Sequence, residues 1–168
     1  MKKVRRSTND PYILDKQIGF WLRVALQRHR AIFTAKMVNG VTPIQFATLA
    51  KLLEVGPCSQ KQLGLLIYVD PATTKGVVDR LCKRGLLTNH VDPSDRRRRA
   101  VALSDKGCQL AKRITKIGSE ITAKTMLSLN RNEQSSIVNL LMKLVDVEQG
   151  RPPPPLGEAN DEAFSSGD

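Results

Sequence analysis

The sequence predicts a mainly α-helical fold with one small β-hairpin, and three observations lead to that class. Apolar residues recur at i, i+3 and i+4 over long stretches. Cap-plus-proline signals, Thr42-Pro43 and Asp70-Pro71, mark where helices begin. Two short apolar runs, Leu86-Leu87 and Ala100-Val101-Ala102-Leu103, flank DPSDRRRR at residues 92–99, where Asp-Pro opens a turn.

The elements follow in order. Residues 1–12 form a basic, polar arm. A helix is predicted over 14–37, with Ile18, Leu22, Ala25, Leu26, His29, Ile32 and Phe33 on one stripe and Asn39-Gly40 ending it. Thr42 caps a second helix whose apolar face is Phe46, Leu49, Ala50 and Leu53, ending before Gly56-Pro57. Ser59 caps a short third helix with Leu63 and Leu66 inward. Asp70-Pro71 opens a fourth, which stops at Gly85. Strands over 86–91 and 99–103 enclose the arginine turn. Ser104 caps a fifth helix to about residue 129, bearing Leu110, Ile114, Ile117, Ile121 and Met126. Asn130 and Glu133 form a capping-box pair for a sixth, with Ile137, Leu140, Leu141, Leu144 and Val145 as its stripe. From residue 150 the chain is Pro-rich, then acidic, as in an extended tail. The expected organisation is an arm (1–12), a folded domain (13–149, with a core at 42–103 between outer helices at 13–41 and 104–149) and a tail (150–168).

At 168 residues, 40% hydrophobic and 26% charged, the chain fits one globular domain. Its net charge of +11 is unusual; residues 151–168 contribute −3, so residues 1–150 carry +14. A body this basic seeks polyanions. Cys58, Cys82 and Cys108 are odd in number and widely spaced, which argues against a disulfide framework or a CxxC metal site and fits reduced thiols in a cytoplasm. No apolar run reaches membrane-spanning length. Phosphate-loop, HExxH and GxSxG patterns are absent and there are two histidines, His29 and His90, so an enzyme is disfavoured; no metal or cofactor is expected.

The short third helix, the turn at Tyr68-Val69-Asp70 and the longer fourth helix have a helix-turn-helix layout. Thr74, Val77, Val78 and Leu81 are expected inward; Thr73, Lys75, Gly76, Asp79 and Arg80 face outward. Small residues at the helix start allow close approach to a groove floor, so Ser59, Thr73, Thr74, Lys75, Gly76 and Arg80 are the candidate DNA contacts. Thr73 suits a base edge, thymine methyl or phosphate, and Lys75 and Arg80 suit phosphate or guanine. Gly76 costs a helix about 1 kcal/mol relative to Ala, which a close backbone approach explains. The hairpin tip is either a solubilising charge run or a wing; just after a recognition helix, Arg96, Arg97 and Arg98 fit a minor groove, with Asp95 aiming Arg97.

The element order, Asp95-Arg96-Arg97, VVDRLCKRGLL and LSDKG together resemble the MarR family of bacterial winged-helix regulators, over about residues 14–148. The resemblance implies a winged helix-turn-helix homodimer built on the first, fifth and sixth helices. Its recognition helices would enter successive major grooves of a pseudo-palindromic operator, with wings in flanking minor grooves. It also implies release of DNA by a small, often aromatic and acidic, effector. LDKQIGFWLR, QRH-x-x-IF and VGPCSQKQLG are similar to regulators of aromatic and N-heteroaromatic acid breakdown, nicotinate-degradation repressors included. The expected activity is that of a ligand-responsive repressor.

The surplus apolar surface of the first and last helices calls for a second chain or for a satellite layer within one chain. An aromatic acid needs a cation and an apolar wall, and the first helix offers both: Trp21, Arg23, Arg28 and His29, with Gln45 and Tyr68 as further candidate walls. His29 equally fits a satisfied core or interface histidine, and the two arginines fit surface ion pairs. Two alternatives stay open. Cys58, at a helix N-terminus that lowers thiol pKa, makes a redox-sensing regulator conceivable, and the charge alone fits a non-specific architectural DNA-binding protein.

Overall fold

A computed structural model describes residues 11–91 and 99–145. The basic arm, apart from Pro11 and Tyr12, and the tail lie outside them. Nine regular elements follow a 3-10 turn at Leu14–Lys16 among the described residues: α1 (Ile18–Lys36), α2 (Pro43–Val55), β1 (Cys58–Ser59), α3 (Gln60–Leu66), α4 (Pro71–Lys83), β2 (Leu87–Val91), β3 (Arg99–Leu103), α5 (Asp105–Thr125) and α6 (Arg131–Leu144).

The helix starts follow the sequence signals. Thr42, Ser59, Asp70, Ser104 and Asn130 each accept a hydrogen bond from a backbone N–H of the first turn they cap. Thr42–Gln45 and Asn130–Glu133 close full capping boxes, the first of which the sequence reading did not foresee. Gly85 ends α4 at φ +68°, a left-handed conformation that glycine adopts at no steric cost.

Three local expectations are corrected or completed. The predicted helix over 14–37 is interrupted: Gln17 is extended (φ −98°, ψ 126°), and Trp21 Nε1 donates to the Asp15 carbonyl at 2.8 Å across the break. The fifth helix ends at Thr125, and Gln134 of α6 reaches back to the Met126 and Leu129 carbonyls. The buried residues of α2 are Gln45, Thr48, Leu49 and Leu52; of the apolar set read off the sequence Leu49 is among them, and Phe46 and Leu53 pack on the core half-buried. Thr48 can be buried because its hydroxyl donates to the Ile44 carbonyl at 2.8 Å.

The sheet holds a strand that the sequence did not announce. Two residues of β1 pair antiparallel with β3, Cys58↔Val101 and Ser59↔Ala100, giving the order β1-β3-β2. The β2–β3 ladder runs from Leu87↔Leu103 to Val91↔Arg99. Leu49, Leu63, Val77, Val78, Leu81, Val101 and Ile114 are fully buried where α2, α3, α4 and α5 meet the sheet. By contrast α6 buries none of its residues, and Ile18, Trp21, Leu22 and Leu26 of α1 are exposed. No helix among the described residues is long and apolar enough to cross a membrane.

Candidate nucleic-acid interface

The α3–turn–α4 unit is locked by contacts that a larger residue would break. A Cβ on Gly64 would lie 2.9 Å from Thr74 Oγ1 and 3.0 Å from the Val69 carbonyl, so glycine lets the two helices touch. Tyr68 turns the chain at φ +55°, and Val69 N–H donates to the Gly64 carbonyl at 2.9 Å. Asp70 Oδ1 then accepts from Thr73 N–H at 2.9 Å. That backbone donor is the main reason its carboxyl titrates below the ordinary range.

The four inward residues of α4 are as expected: Thr74, Val77, Val78 and Leu81 are buried. Thr74 therefore leaves the set of DNA contacts. Only 1% of it is exposed, and its hydroxyl donates to the Asp70 carbonyl at 2.8 Å and approaches the Val69 carbonyl at 3.3 Å. Lys75, Asp79 and Arg80 are exposed, and Thr73 and Gly76 half-exposed. A methyl on Gly76 would meet nothing but the Arg80 side chain, at an ordinary 3.5 Å, so no packing within the chain requires glycine there. Ser59 is half-buried, and its hydroxyl caps α3 by accepting from Gln62 N–H at 3.1 Å. Gln60, Lys61 and Leu65, which sequence reasoning missed, join Lys75 around a groove of about 480 Å³ between α3 and α4. Asp95, Arg96, Arg97 and Arg98 lie outside the described residues, between the last ladder pair, Val91 and Arg99.

A second concavity lies where α1, α2 and α5 meet. It measures about 490 Å³ and is lined by His29, Phe33, Pro43, Phe46, Thr115, Gly118, Ser119, Ile121 and Thr122. Phe33 and Phe46 meet edge to face, with centroids 5.9 Å apart at 84°. Gly118 makes room for this wall, since a Cβ there would lie 2.5 Å from Phe46 Cζ. His29 Nδ1 is 3.0 Å from Thr125 Oγ1, and that hydroxyl donates to the Ile121 carbonyl at 2.8 Å. With its proton so committed, Thr125 Oγ1 accepts from His29 Nδ1–H, which frees Nε2 for the cleft.

Of six residues expected around an effector, His29 alone lines this cleft. Trp21 is 52% exposed and bonded to Asp15. Arg23 sits over the Phe20 ring, 5.4 Å from its centroid, and Arg28 is exposed. Gln45 is buried in its capping box and accepts from Arg84 Nη1 at 3.2 Å, while Tyr68 belongs to the turn before α4. Of the stripe read on α1, His29, Ile32 and Phe33 turn inward while Ile18, Leu22, Ala25 and Leu26 are exposed, and periodicity did not show which residues of α2 and α5 oppose the inward three. The available signal was Gly118 within an otherwise regular helix. Cys58 is also corrected: it is buried in β1, and burial pushes its thiol pKa up, opposite to the shift that a sensing thiolate needs.

Comparison with known proteins agrees with this architecture. The model of the MarR family matches residues 41–98. The HTH-type transcriptional repressor NicR of Pseudomonas putida is 39% identical over 142 residues, covering 84% of this chain and 90% of NicR. A probable transcriptional regulator from Pseudomonas aeruginosa superposes with a TM-score of 0.74 at 45% identity, covering 79% of this chain and 99% of that one. Bordetella bronchiseptica BpsR, whose DNA binding is regulated by 6-hydroxynicotinic acid, superposes at 0.77 with 38% identity, covering 82% and 99%. The chain belongs to the MarR family of winged-helix transcriptional regulators, which are not enzymes.

Proposed function

We propose that the protein is a dimeric repressor of a pseudo-palindromic operator, released by a small aromatic or N-heteroaromatic acid of the hydroxynicotinate or hydroxybenzoate type. The observation that carries the effector reading is the cleft beneath His29. Its volume lies in the usual range for small-molecule sites, and an edge-to-face phenylalanine pair supplies a wall for one flat ring. His29 Nε2 accepts from a ring hydroxyl or ring N–H, or, once protonated, donates to a carboxylate. The hydroxyls of Thr115, Ser119 and Thr122 offer further polar contacts. The likeness to NicR and BpsR supports the N-heteroaromatic class.

The dimer reading is supported by α6, which buries nothing within one chain, and by the exposed apolar start of α1. The DNA reading is supported by the exposed Lys75 and Arg80 of α4 beside Thr73, with Arg96, Arg97 and Arg98 as minor-groove or phosphate contacts and a cytoplasmic setting. Binding of the acid to a dimer with wrongly spaced recognition helices lowers operator affinity through its preference for that state.

The test is His29→Ala in an operator-release assay with 6-hydroxynicotinate and 4-hydroxybenzoate. Operator affinity is expected to hold within about twofold while the acid needed for half-release rises about tenfold, as loss of one charge-assisted hydrogen bond implies. Unchanged release would move the effector elsewhere.

A further inference from the structure

A separate cleft of about 330 Å³ lies between the end of α4 and the start of α5, lined by Asn39, Arg84, Leu86, Lys106, Gln109, Leu110 and Arg113. Three of those residues are cations and none is an acid. Lys106, Gln109 or Leu110, and Arg113 recur every three or four residues, so one stripe of α5 faces it. Arg84 comes from the opposite wall as the C-cap of α4. No ion pair among the described residues involves Arg84, Lys106 or Arg113. Arg84 donates to the Asn39 carbonyl at 2.8 Å and to Gln45 Oε1 at 3.2 Å, and Lys106 Nζ donates to the Arg84 carbonyl at 3.3 Å. These bonds hold two cations at the cleft and leave each with unused donors.

We propose that this cleft is a second anion site, taking a small organic carboxylate through Arg84, Lys106 and Arg113, with Leu86 and Leu110 against its apolar body. Three cations and no acid line the cleft, so an anion held there is attracted by each of them. The leucine floor favours a carboxylate with a compact hydrocarbon part over inorganic phosphate, which has none. DNA is a poor source of the anion, because α4 spans 13 residues and Arg84 follows its last, about 20 Å from the end that carries Thr73. The site shares no lining residue with the His29 cleft. Its occupant would compete with Asn39 and Gln45 for Arg84, and so loosen the tie between the end of α4 and the α1–α2 turn.

The test titrates sodium benzoate, and separately sodium phosphate, into the full-length 15N-labelled protein at constant ionic strength, following the amides of Leu86, Gln109 and Leu110. A saturable benzoate response is expected in the wild type and in His29→Ala. It should weaken at least tenfold in the Lys106→Gln/Arg113→Gln double variant, while the amide of Gly118 responds as before. Absence of a saturable response, equal affinity for phosphate, or an unchanged double variant would each overturn the proposal. The salt dependence of operator binding supplies the last arm. Its slope is expected to stay the same in the double variant, whereas a drop of about two would assign these cations to DNA phosphates instead.

Discussion

Gly107 joins the two functional halves of the molecule. It lies on the first turn of α5, directly against the carbonyl of Leu86, where α4 hands over to β2. A Cβ added there would sit 2.9 Å from the Leu86 carbonyl carbon and closer still to its oxygen. That carbonyl cannot swing aside freely, because it accepts from Ser104 N–H at 3.1 Å. Ser104 is itself held: its hydroxyl donates to the Gly85 carbonyl at 2.7 Å and accepts from Gly107 N–H at 3.0 Å. Gly107→Ala must therefore push α5 away from the sheet or break the Ser104 bond. Overpacking of this kind costs about 1–3 kcal/mol, and a lost hydrogen bond about 1 kcal/mol. Better helix propensity returns at most about 1 kcal/mol, leaving a net loss of about 2 kcal/mol. Urea unfolding at fixed protein concentration measures it. Operator affinity, read where the variant is still folded, should fall as well, because α5 sets where α4 stands. Gly118→Ala is the control: the obstacle there is the ring of Phe46, a half-buried side chain that can rotate, so stability should change less. A Gly107→Ala protein as stable as the wild type, or a larger loss at Gly118, would refute the reasoning.

Three further outcomes are expected. Thr74→Ala should cost about 1 kcal/mol of stability through its lost hydroxyl bond and leave operator sequence preference intact, whereas Thr73→Ala should alter operator binding with little effect on unfolding; a binding-site selection and a urea curve for each variant separate the two. Asp70 is held below the ordinary carboxylate range by the N–H of Thr73, so its contribution to stability is present above its unfolded value and is lost as pH falls through its lower folded value. Asp70→Asn keeps an oxygen cap, and the difference in stability between it and the wild type should shrink on acidification below about pH 4. Cys58 should resist peroxide and alkylation in the native protein, and Cys58→Ser should leave operator binding equally insensitive to peroxide; a wild-type protein that loses DNA on mild oxidation and a serine variant that does not would reinstate the redox reading.

What the sequence disclosed depended on how local the cause was. Caps and breakers act within a turn of chain, so Thr42-Pro43, Asp70-Pro71, Ser104 and the Asn130/Glu133 pair could be read directly. The inward face of α4 followed from its 3.6-residue period. Causes that act across the chain stayed hidden. The two-residue strand β1 is fixed by its partners Val101 and Ala100 and has no periodicity of its own. The helix α2 is covered on more than one side, so polar Gln45 and Thr48 could be buried once bonded, beside the predicted Leu49 and the half-buried Phe46 and Leu53 that also pack on the core. For the effector cleft, α1 revealed His29, but the opposing wall comes from α2 and α5, far away in sequence.

Within the proposed function, α2 is the element that joins the cleft to the recognition helix. Phe46 forms part of the cleft wall, and the preceding residue, Gln45, accepts from Arg84 at the end of α4. The same Arg84 donates to the Asn39 carbonyl in the turn between α1 and α2. On this reading a ring entering beside Phe46 presses on α2, whose Phe46 lines the cleft. Any resulting shift of α2 is carried by Gln45 to Arg84 and so to the helix bearing Thr73, Lys75 and Arg80. A tenfold loss of operator affinity requires the effector to prefer the shifted arrangement by only about 1.4 kcal/mol, comparable to one good hydrogen bond. Gln45→Leu removes the acceptor for Arg84, and the apolar side chain is compatible with the buried site. It should therefore preserve effector binding while weakening the link to DNA release. Equilibrium binding of 6-hydroxynicotinate, measured with and without operator, reads that link directly. An effect of operator on effector affinity as large in Gln45→Leu as in the wild type would rule out this route.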